Sequence, residues 1–263
     1  MHSAEREKFI LETVNRRGFI SFQDLEQRIT ASPATIRRDL ERMMSAGLLT
    51  RVRGGAKKNE PKNAKRQPPE SAHLTGVPFD ENVNLRKAEK EAIGRAAAKL
   101  CNVGEAIMID GGSTTLQMCP HLRGLNLLAL TNSLRIVSAL LAQPGTRVLV
   151  PAGQVFPEQN IILTASSDDG MQRFHAPKLF MSAAAVGNAG LMQADITLVG
   201  AERRLIDRTD EIIVLLDSSK FDGPSGHIVC GLDEIDVLIT DGGVSPRHAQ
   251  MVQDAGIKLI VAS

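Results

Sequence analysis

Residues 56–78 read AKKNEPKNAKRQPPESAHLTGVP, with four prolines, many polar residues and only scattered apolar ones. Such a stretch cannot pack a core of its own, and its prolines interrupt helix and sheet hydrogen bonding. It therefore forces the 263-residue chain into two parts that must each bury apolar surface separately. The expected division is a head over 1–57, a linker over 58–79 and a body over 80–263. Hydrophobic residues make up 43% and charged residues 23%, ordinary globular values that exclude wholesale disorder. No internal repeat at solenoid periods is visible.

The charges are divided along the same line. Residues 1–69 hold 15 Lys and Arg against 8 Asp and Glu; residues 70–263 hold 16 against 22. A basic head on an acidic body suggests that only the head meets a polyanion, although solvated charged faces give the same split. No run of about 18 apolar residues suggests a membrane span, and the charged N-terminus lacks the apolar stretch of a secretory signal. Cys101, Cys119 and Cys230 lie far apart and form no Cys-x-x-Cys pair. They read as reduced thiols, and the expected location is cytoplasmic.

The head alternates helices with short strand-like pieces. Phe9, Ile10, Thr13 and Val14 fall at helical spacing over 5–16, with Gly18 as a stop. Phe19-Ile20 is a small strand, 22–29 a helix capped by Ser21, and Thr30-Ala31 a tight turn. Ser32 caps a third helix that begins at Pro33, where the missing N–H costs nothing, and ends before Gly47. Residues 48–52 are strand-like, and Arg53-Gly54-Gly55 fits a hairpin turn. On a wheel of the third helix, Ile36, Leu40, Met43 and Met44 share one side. Ala34, Thr35, Arg38, Glu41 and Arg42 lie opposite, with Arg37 on the flank. A methyl, a hydroxyl and guanidinium groups at a helix N-terminus suit a DNA major groove. The candidate contacts are Ser32, Ala34, Thr35, Arg37, Arg38 and Arg42, with Arg51 and Arg53 on the strand that follows. A three-helix subdomain with merely solvated arginines remains the alternative on these grounds.

The body reads as strand–helix alternation. Helical patterns cover 84–101, 114–122, 134–142, 196–206 and 246–255. Strand-like runs fall at 106–110, 127–131, 147–151, 179–184, 212–217, 237–241 and 258–261. Short apolar strands separated by helices predict an α/β fold with a mainly parallel sheet covered on both faces. Polar clusters follow several strands, where such sheets bind ligands. GGSTT at 111–115 is the chief candidate. Gly111 and Gly112 permit positive φ and close approach, and Ser113, Thr114 and Thr115 add hydroxyls at a helix start. The loop is neither a Walker A nor a dinucleotide fingerprint, and an ordinary loop with Ser113 as N-cap is the plain alternative.

Residues 5–56, with SPATIRRDLERMMSAGLLTRVRGGA at their centre, resemble the DeoR-type winged helix-turn-helix. The departure is Ile29-Thr30-Ala31, where that family has a Gly and a Val. KAEKEAIGRAAAKL, IDGGSTT, LTNSLRIVSAL and VLLDSSKF resemble the C-terminal sensor domain of the same family, over about 84–261. The resemblance implies a winged helix-turn-helix linked to an α/β domain similar in fold to ribose-5-phosphate isomerase. Carried over by position, it implies that Gly112, Ser113, Thr114 and Thr115 hold a phosphate, with Asn132, Ser133 and Lys220 lining the pocket. The middle departs: Ala152-Gly153 stands for a Gly-Gly pair and Pro177-Lys178-Leu179-Phe180 for an Asp-Lys-Ala-Phe-like element. Segment 195–202 is nearer the ascorbate-utilisation repressor branch.

Asp110, Asp217 and Asp241 follow strands and offer acid/base groups. There is, however, no DGAD-like or KGxGG-like segment of the isomerase kind, and the six histidines are scattered. The expected protein is a non-enzymatic transcriptional regulator, a repressor of a carbohydrate operon. It binds operator duplex DNA, is released by a phosphorylated sugar or sugar derivative, and works as a homo-oligomer, dimer or tetramer, away from membranes. No cofactor, metal or catalytic residue is expected. The alternatives are a sugar-phosphate isomerase with a DNA-binding appendage and an architectural DNA-binding protein whose body only oligomerises.

Overall fold

A computed structural model describes residues 2–17, 19–29, 31–45, 48–52, 55–58, 74–164, 169–171, 173–223 and 226–263. The chain divides into two compact units, Met1–Gln67 and Pro68–Ser263. Of the expected turn residues and arginines, Gly18, Thr30, Gly47, Arg53 and Gly54 lie outside the described residues. Among the described residues, no helix is long and apolar enough to cross a membrane.

The first unit carries α1 (Ser3–Arg17), β1 (Phe19–Ser21), α2 (Phe22–Arg28), α3 (Pro33–Ser45), β2 (Leu49–Val52) and β3 (Gly55–Lys58). The strands form an antiparallel sheet in the order β1-β3-β2. Ser21 ends β1 and stands directly before α2, the position of a helix cap. The apolar side of α3 packs as its periodicity predicts: Ile36, Leu40 and Met43 are buried with Ile10, Val14 and Leu25. This is the amphipathic solution for a small helical core, with the opposite face left to water.

The second unit opens with α4 (Phe79–Asn82), α5 (Lys87–Ala98) and β4 (Ala106–Ile109). A 3₁₀ helix, Thr115–His121, leads to β5 (Leu128–Thr131), α6 (Leu134–Leu141) and β6 (Arg147–Leu149). The hairpin β7 (Gln154–Phe156) and β8 (Ile161–Leu163) precedes β9 (Ala176–Met181), β10 (Ala185–Gly187) and β11 (Gly190–Gln193). Then come α7 (Ile196–Ile206), β12 (Thr209–Leu215), a 3₁₀ turn Ser218–Asp222 and β13 (His227–Cys230). The chain closes with β14 (Val237–Asp241), α8 (Pro246–Asp254) and β15 (Lys258–Ala262).

Seven strands form a parallel sheet in the order β15-β14-β12-β9-β4-β5-β6. Each central strand feeds both faces alternately. Ile107 and Ile109 join one core with Ile93 of α5 and Ile136 of α6. Met108, between them, joins the other with Leu205 of α7 and Val252 of α8. A strand buried on both sides must be apolar at every position, which is why AIMI and its counterparts read as unbroken runs.

Three expectations are corrected. The helix expected over 84–101 starts only at Lys87, because Arg86 before it holds a left-handed φ of 50°. The element after the GGSTT loop is a 3₁₀ helix with Pro120 inside it rather than an α-helix. Residues 74–79, expected in the linker, are packed into the α/β unit. Leu74 is buried beside Phe156 and Ile161, the Phe79 N–H donates to the Glu158 carbonyl at 2.8 Å, and Asp195 accepts from Thr75.

Candidate functional site

The head offers one polar face. The Thr35 N–H donates to Ser32 Oγ at 3.2 Å and the two hydroxyls lie 2.8 Å apart, so Ser32 caps α3 as its sequence suggests. Ser32, Ala34, Arg37 and Arg38 are exposed and Thr35 half-buried. Arg37 lies over the Phe22 ring, 5.0 Å from its centroid, which braces the guanidinium while leaving its edge to solvent. Arg42 is differently occupied: it pairs with Glu7 and, at 3.0 Å, with Asp39. Asp39 is itself 4% exposed and takes Arg6 Nε at 2.7 Å. Hence Arg42 ties α3 to α1. Arg51 sits on β2 opposite Ala56, and Arg53 lies outside the described residues.

In the α/β unit the sheet order sets the site. From β4 the chain moves outward through β5 and β6, then returns to the other side of β4 with β9 and moves away through β12, β14 and β15. The order reverses between β4 and β9, and the crevice beyond the carboxyl ends of strands at such a point is where open α/β sheets take ligands. A cavity of about 270 Å³ lies there. Its lining includes Asp110 and the loop residues 111–114 after β4, Asn132 after β5, and Ser182 after β9. Lys220, Gln193 and Glu202 also line it, and residues 75–77 contribute from the segment before α4.

Five of the seven expected pocket residues are therefore brought together: Gly112, Ser113, Thr114, Asn132 and Lys220. Thr115 and Ser133 are not. Thr115 is fully buried and its hydroxyl donates to the carbonyls of Asp110, at 2.8 Å, and Gly112, at 3.0 Å. Ser133 is fully buried and caps α6, accepting from the Ile136 N–H at 3.4 Å. Both hydroxyls hold the loop ends rather than face the space.

The two glycines act by size. Neither 111 nor 112 has positive φ. A Cβ on Gly111 would strike Ile161 Cγ2, and one on Gly112 would stand 3.1 Å from Ser182 Cβ. The loop must pass close under its neighbours to wall the cavity. Ser113 is not the cap of the 3₁₀ helix; Thr114 occupies that position without a side-chain cap bond.

Asn132 is the hinge of the polar network: its Oδ1 accepts the Gly111 N–H at 2.8 Å, and its Nδ2 donates to Asp110 Oδ1 at 3.1 Å. Burial pushes the Asp110 carboxyl up to about 6, against the pull of the Gly111 and Asn132 hydrogen bonds. Lys220 has no ion-pair or hydrogen-bond partner among the described residues for its ammonium, and half-faces solvent. Behind it Lys90, 1% exposed, donates to the carbonyl and Oδ1 of Asn82, which also lines the cavity. Burial lowers the Lys90 ammonium to about 8.

Asp217 and Asp241 do structural work beneath the cavity. Asp217 caps the turn Ser218–Asp222 through the Ser219 N–H and meets Arg86 Nε at 3.3 Å. Asp241 accepts from Ser218 and Gly243 and pairs with Arg86 at 3.0 Å. No group of three His, Cys, Asp or Glu suited to a metal occurs among the described residues.

Sequence reasoning passed over Glu202, Gln193, Asn82 and residues 75–77. Glu202 was open to detection: on α7 it stands at i, i+3 and i+4 to Leu205 and Ile206, and all three are buried. A carboxyl on an apolar stripe is the signal of a buried polar site.

Comparison with known proteins gives consistent matches. Residues 6–62 match the DeoR-like helix-turn-helix domain and residues 85–242 the DeoR C terminal sensor domain. HTH-type transcriptional regulators UlaR from Shigella dysenteriae and from Escherichia coli are 28% identical, over 99% of this chain and 99% of theirs. Among solved structures, ribose 5-phosphate isomerase A of Methanocaldococcus jannaschii aligns at 15% identity and TM-score 0.37, over 51% of this chain and 54% of that one. eIF2B beta from Chaetomium thermophilum aligns at 14% identity and TM-score 0.40, over 58% and 48%. This chain thus spans about half the length of those two structures.

Proposed function

The chain belongs to the DeoR family of DNA-binding transcriptional regulators, and on that premise we propose that its cavity takes a phosphorylated sugar or sugar derivative whose binding releases the head from an operator. The chain is a regulator and not an enzyme, as are the relatives that match it end to end. In the head, Ala34, Thr35 and Arg38 read base edges in the major groove, and Ser32 and Arg37 meet the phosphates at the start of α3. Arg51 and Arg53 add contacts to the DNA backbone. Arg42 contributes charge while holding α3 on α1.

The observation that carries the effector reading is the lining of the cavity: Gly112, Ser113, Thr114 and the ammonium of Lys220 around one space. Small residues that let backbone approach, two hydroxyls and a point charge suit a phosphate. Asn132, Gln193 and Glu202 offer polar groups for hydroxyl or carbonyl oxygens beyond it. The volume, about 270 Å³, stands at the lower edge of small-molecule pockets, roughly 300–1,000 Å³. Paired heads strengthen a weak single-head affinity, so the chain acts as a homo-oligomer, a dimer or tetramer, in the cytoplasm. Carbohydrate utilisation is the regulated activity, in keeping with a cavity that takes a sugar phosphate.

A thermal-shift panel on the full chain tests this reading. A ligand at about 100 times its dissociation constant stabilises by about 2.7 kcal/mol. A shift with a sugar phosphate and none with its unphosphorylated form is expected. No shift with any phosphorylated compound overturns the effector assignment and leaves the head untouched.

A further inference from the structure

Glu202 has no role in the fold that explains its place. It is 3% exposed and lines the cavity. Its Oε1 accepts the Gln193 amide at 2.6 Å. Its Oε2 is buried with no hydrogen-bond partner, and no Lys or Arg forms an ion pair with it among the described residues. Gln193 is held in turn by the Ser182 carbonyl at 3.3 Å, so the carboxyl is oriented from behind.

Burial holds the carboxyl well above its usual range, and the like charge of Asp110 in the same cavity adds to that effect. The proton has one place to go. Oε1 receives an N–H from Gln193 and so acts as the carbonyl oxygen; Oε2 is the hydroxyl. A buried O–H without an acceptor is rare in folded proteins and marks a missing partner.

We propose that Glu202 is the specificity-determining residue of the cavity, meeting the ligand as a carboxylic acid whose Oε2 donates to a carbonyl, ring or hydroxyl oxygen of the sugar. The inference rests on the effector reading given above and adds the chemistry of the far end of that ligand. The phosphate lies with Ser113, Thr114 and Lys220. A neutral oxygen lies with Glu202. A carboxylate or second phosphate at that position is disfavoured by the Asp110 carboxyl alongside.

The test is calorimetric titration of the full chain, as wild type, Glu202→Gln and Glu202→Leu. The probes are inorganic phosphate, ribose 5-phosphate, glucose 6-phosphate and fructose 1-phosphate. Wild type binds at least one of the sugar phosphates more tightly than inorganic phosphate. Glu202→Gln keeps that affinity within about threefold, because the carboxamide presents an N–H where the acid presents its O–H and still accepts from Gln193. Glu202→Leu loses about tenfold or more for the sugar phosphate and nothing for inorganic phosphate. If Gln loses as much as Leu, the group acts as an ionised acceptor and the inference is overturned. If neither variant changes affinity, Glu202 does not touch the ligand and it is overturned too. A wild type that prefers no sugar phosphate to inorganic phosphate removes the sugar reading itself, and the inference with it.

Discussion

Replacing Asp110 by Asn stabilises the α/β unit at neutral and alkaline pH. The carboxyl is fully enclosed in its polar pocket, and burial raises it from an ordinary 3.8 to about 6. At ~1.4 kcal/mol for each tenfold change, keeping the carboxylate ionised in the fold costs about 3 kcal/mol above pH 6. The sign follows from proton linkage. Below about pH 4 Asp110 is protonated folded and unfolded, and no cost is felt. Between about pH 4 and about 6 the unfolded state has lost a proton that the folded state still holds, so stability falls, and above that range the cost stays constant. Asn has no proton to lose, and its carboxamide oxygen can still accept from Asn132 Nδ2, as Asp110 Oδ1 does at 3.1 Å. The chain has no Trp or Tyr, so urea unfolding is followed by far-ultraviolet circular dichroism. Asp110→Asn exceeds wild type by about 3 kcal/mol at pH 8 and by under about 1 kcal/mol at pH 4. A variant less stable than wild type at pH 8, or an equal difference at both pH values, refutes the reasoning. The wild-type cost is the mark of a residue kept for the cavity rather than for the fold.

Further outcomes concern both units. Arg38→Ala loses about tenfold or more in operator affinity with unchanged unfolding, because Arg38 is exposed on the polar face of α3; normal binding to the operator removes that face as the DNA contact. Asp39→Ala strips Arg6 and Arg42 of their shared carboxylate, costs the head about 3 kcal/mol, and abolishes DNA binding. It leaves sugar-phosphate binding by the α/β unit intact, which calorimetry checks. Ser113→Asp sets a negative charge on the cavity wall, and sugar phosphates then fail to raise the melting temperature while operator binding persists; a full wild-type shift in the variant sinks the phosphate placement.

Periodicity carried most of the fold and adjacency carried least. The third helix was legible to the residue, because Ser32-Pro33 is a strong start and Ile36, Leu40 and Met43 repeat at helical spacing. The parallel strands were legible as apolar runs because both of their faces are covered. Of the three-residue strands, β1 and β6 were legible and β7, β8 and β10 were not, since so short a run shows no periodicity to set it apart from a loop. In the cavity, the loop after β4 was marked by its own glycines and hydroxyls, and resemblance to a family added Asn132 and Lys220. That route also brought in Thr115 and Ser133, because a motif does not say which hydroxyls turn back to cap the backbone. Gln193 was missed because only the tertiary fold brings β11 to the cavity, whereas Glu202 was overlooked although its place on the apolar stripe of α7 marked it. Residues 74–79 were given to the linker on composition, although one Asp195 carboxylate suffices to bind Thr75 to the unit.

Operator affinity with the cavity filled and with it empty decides whether the two units are coupled. A duplex selected by the full chain from a random library is titrated by fluorescence anisotropy, with and without the sugar phosphate that most raises the melting temperature. Saturating ligand weakens binding about tenfold or more, the ~1.4 kcal/mol that coupling between cavity and head requires at minimum. Ser113→Asp shows no such weakening. An operator affinity that is the same with the cavity saturated contradicts the account, and one that tightens contradicts release as the mode of control.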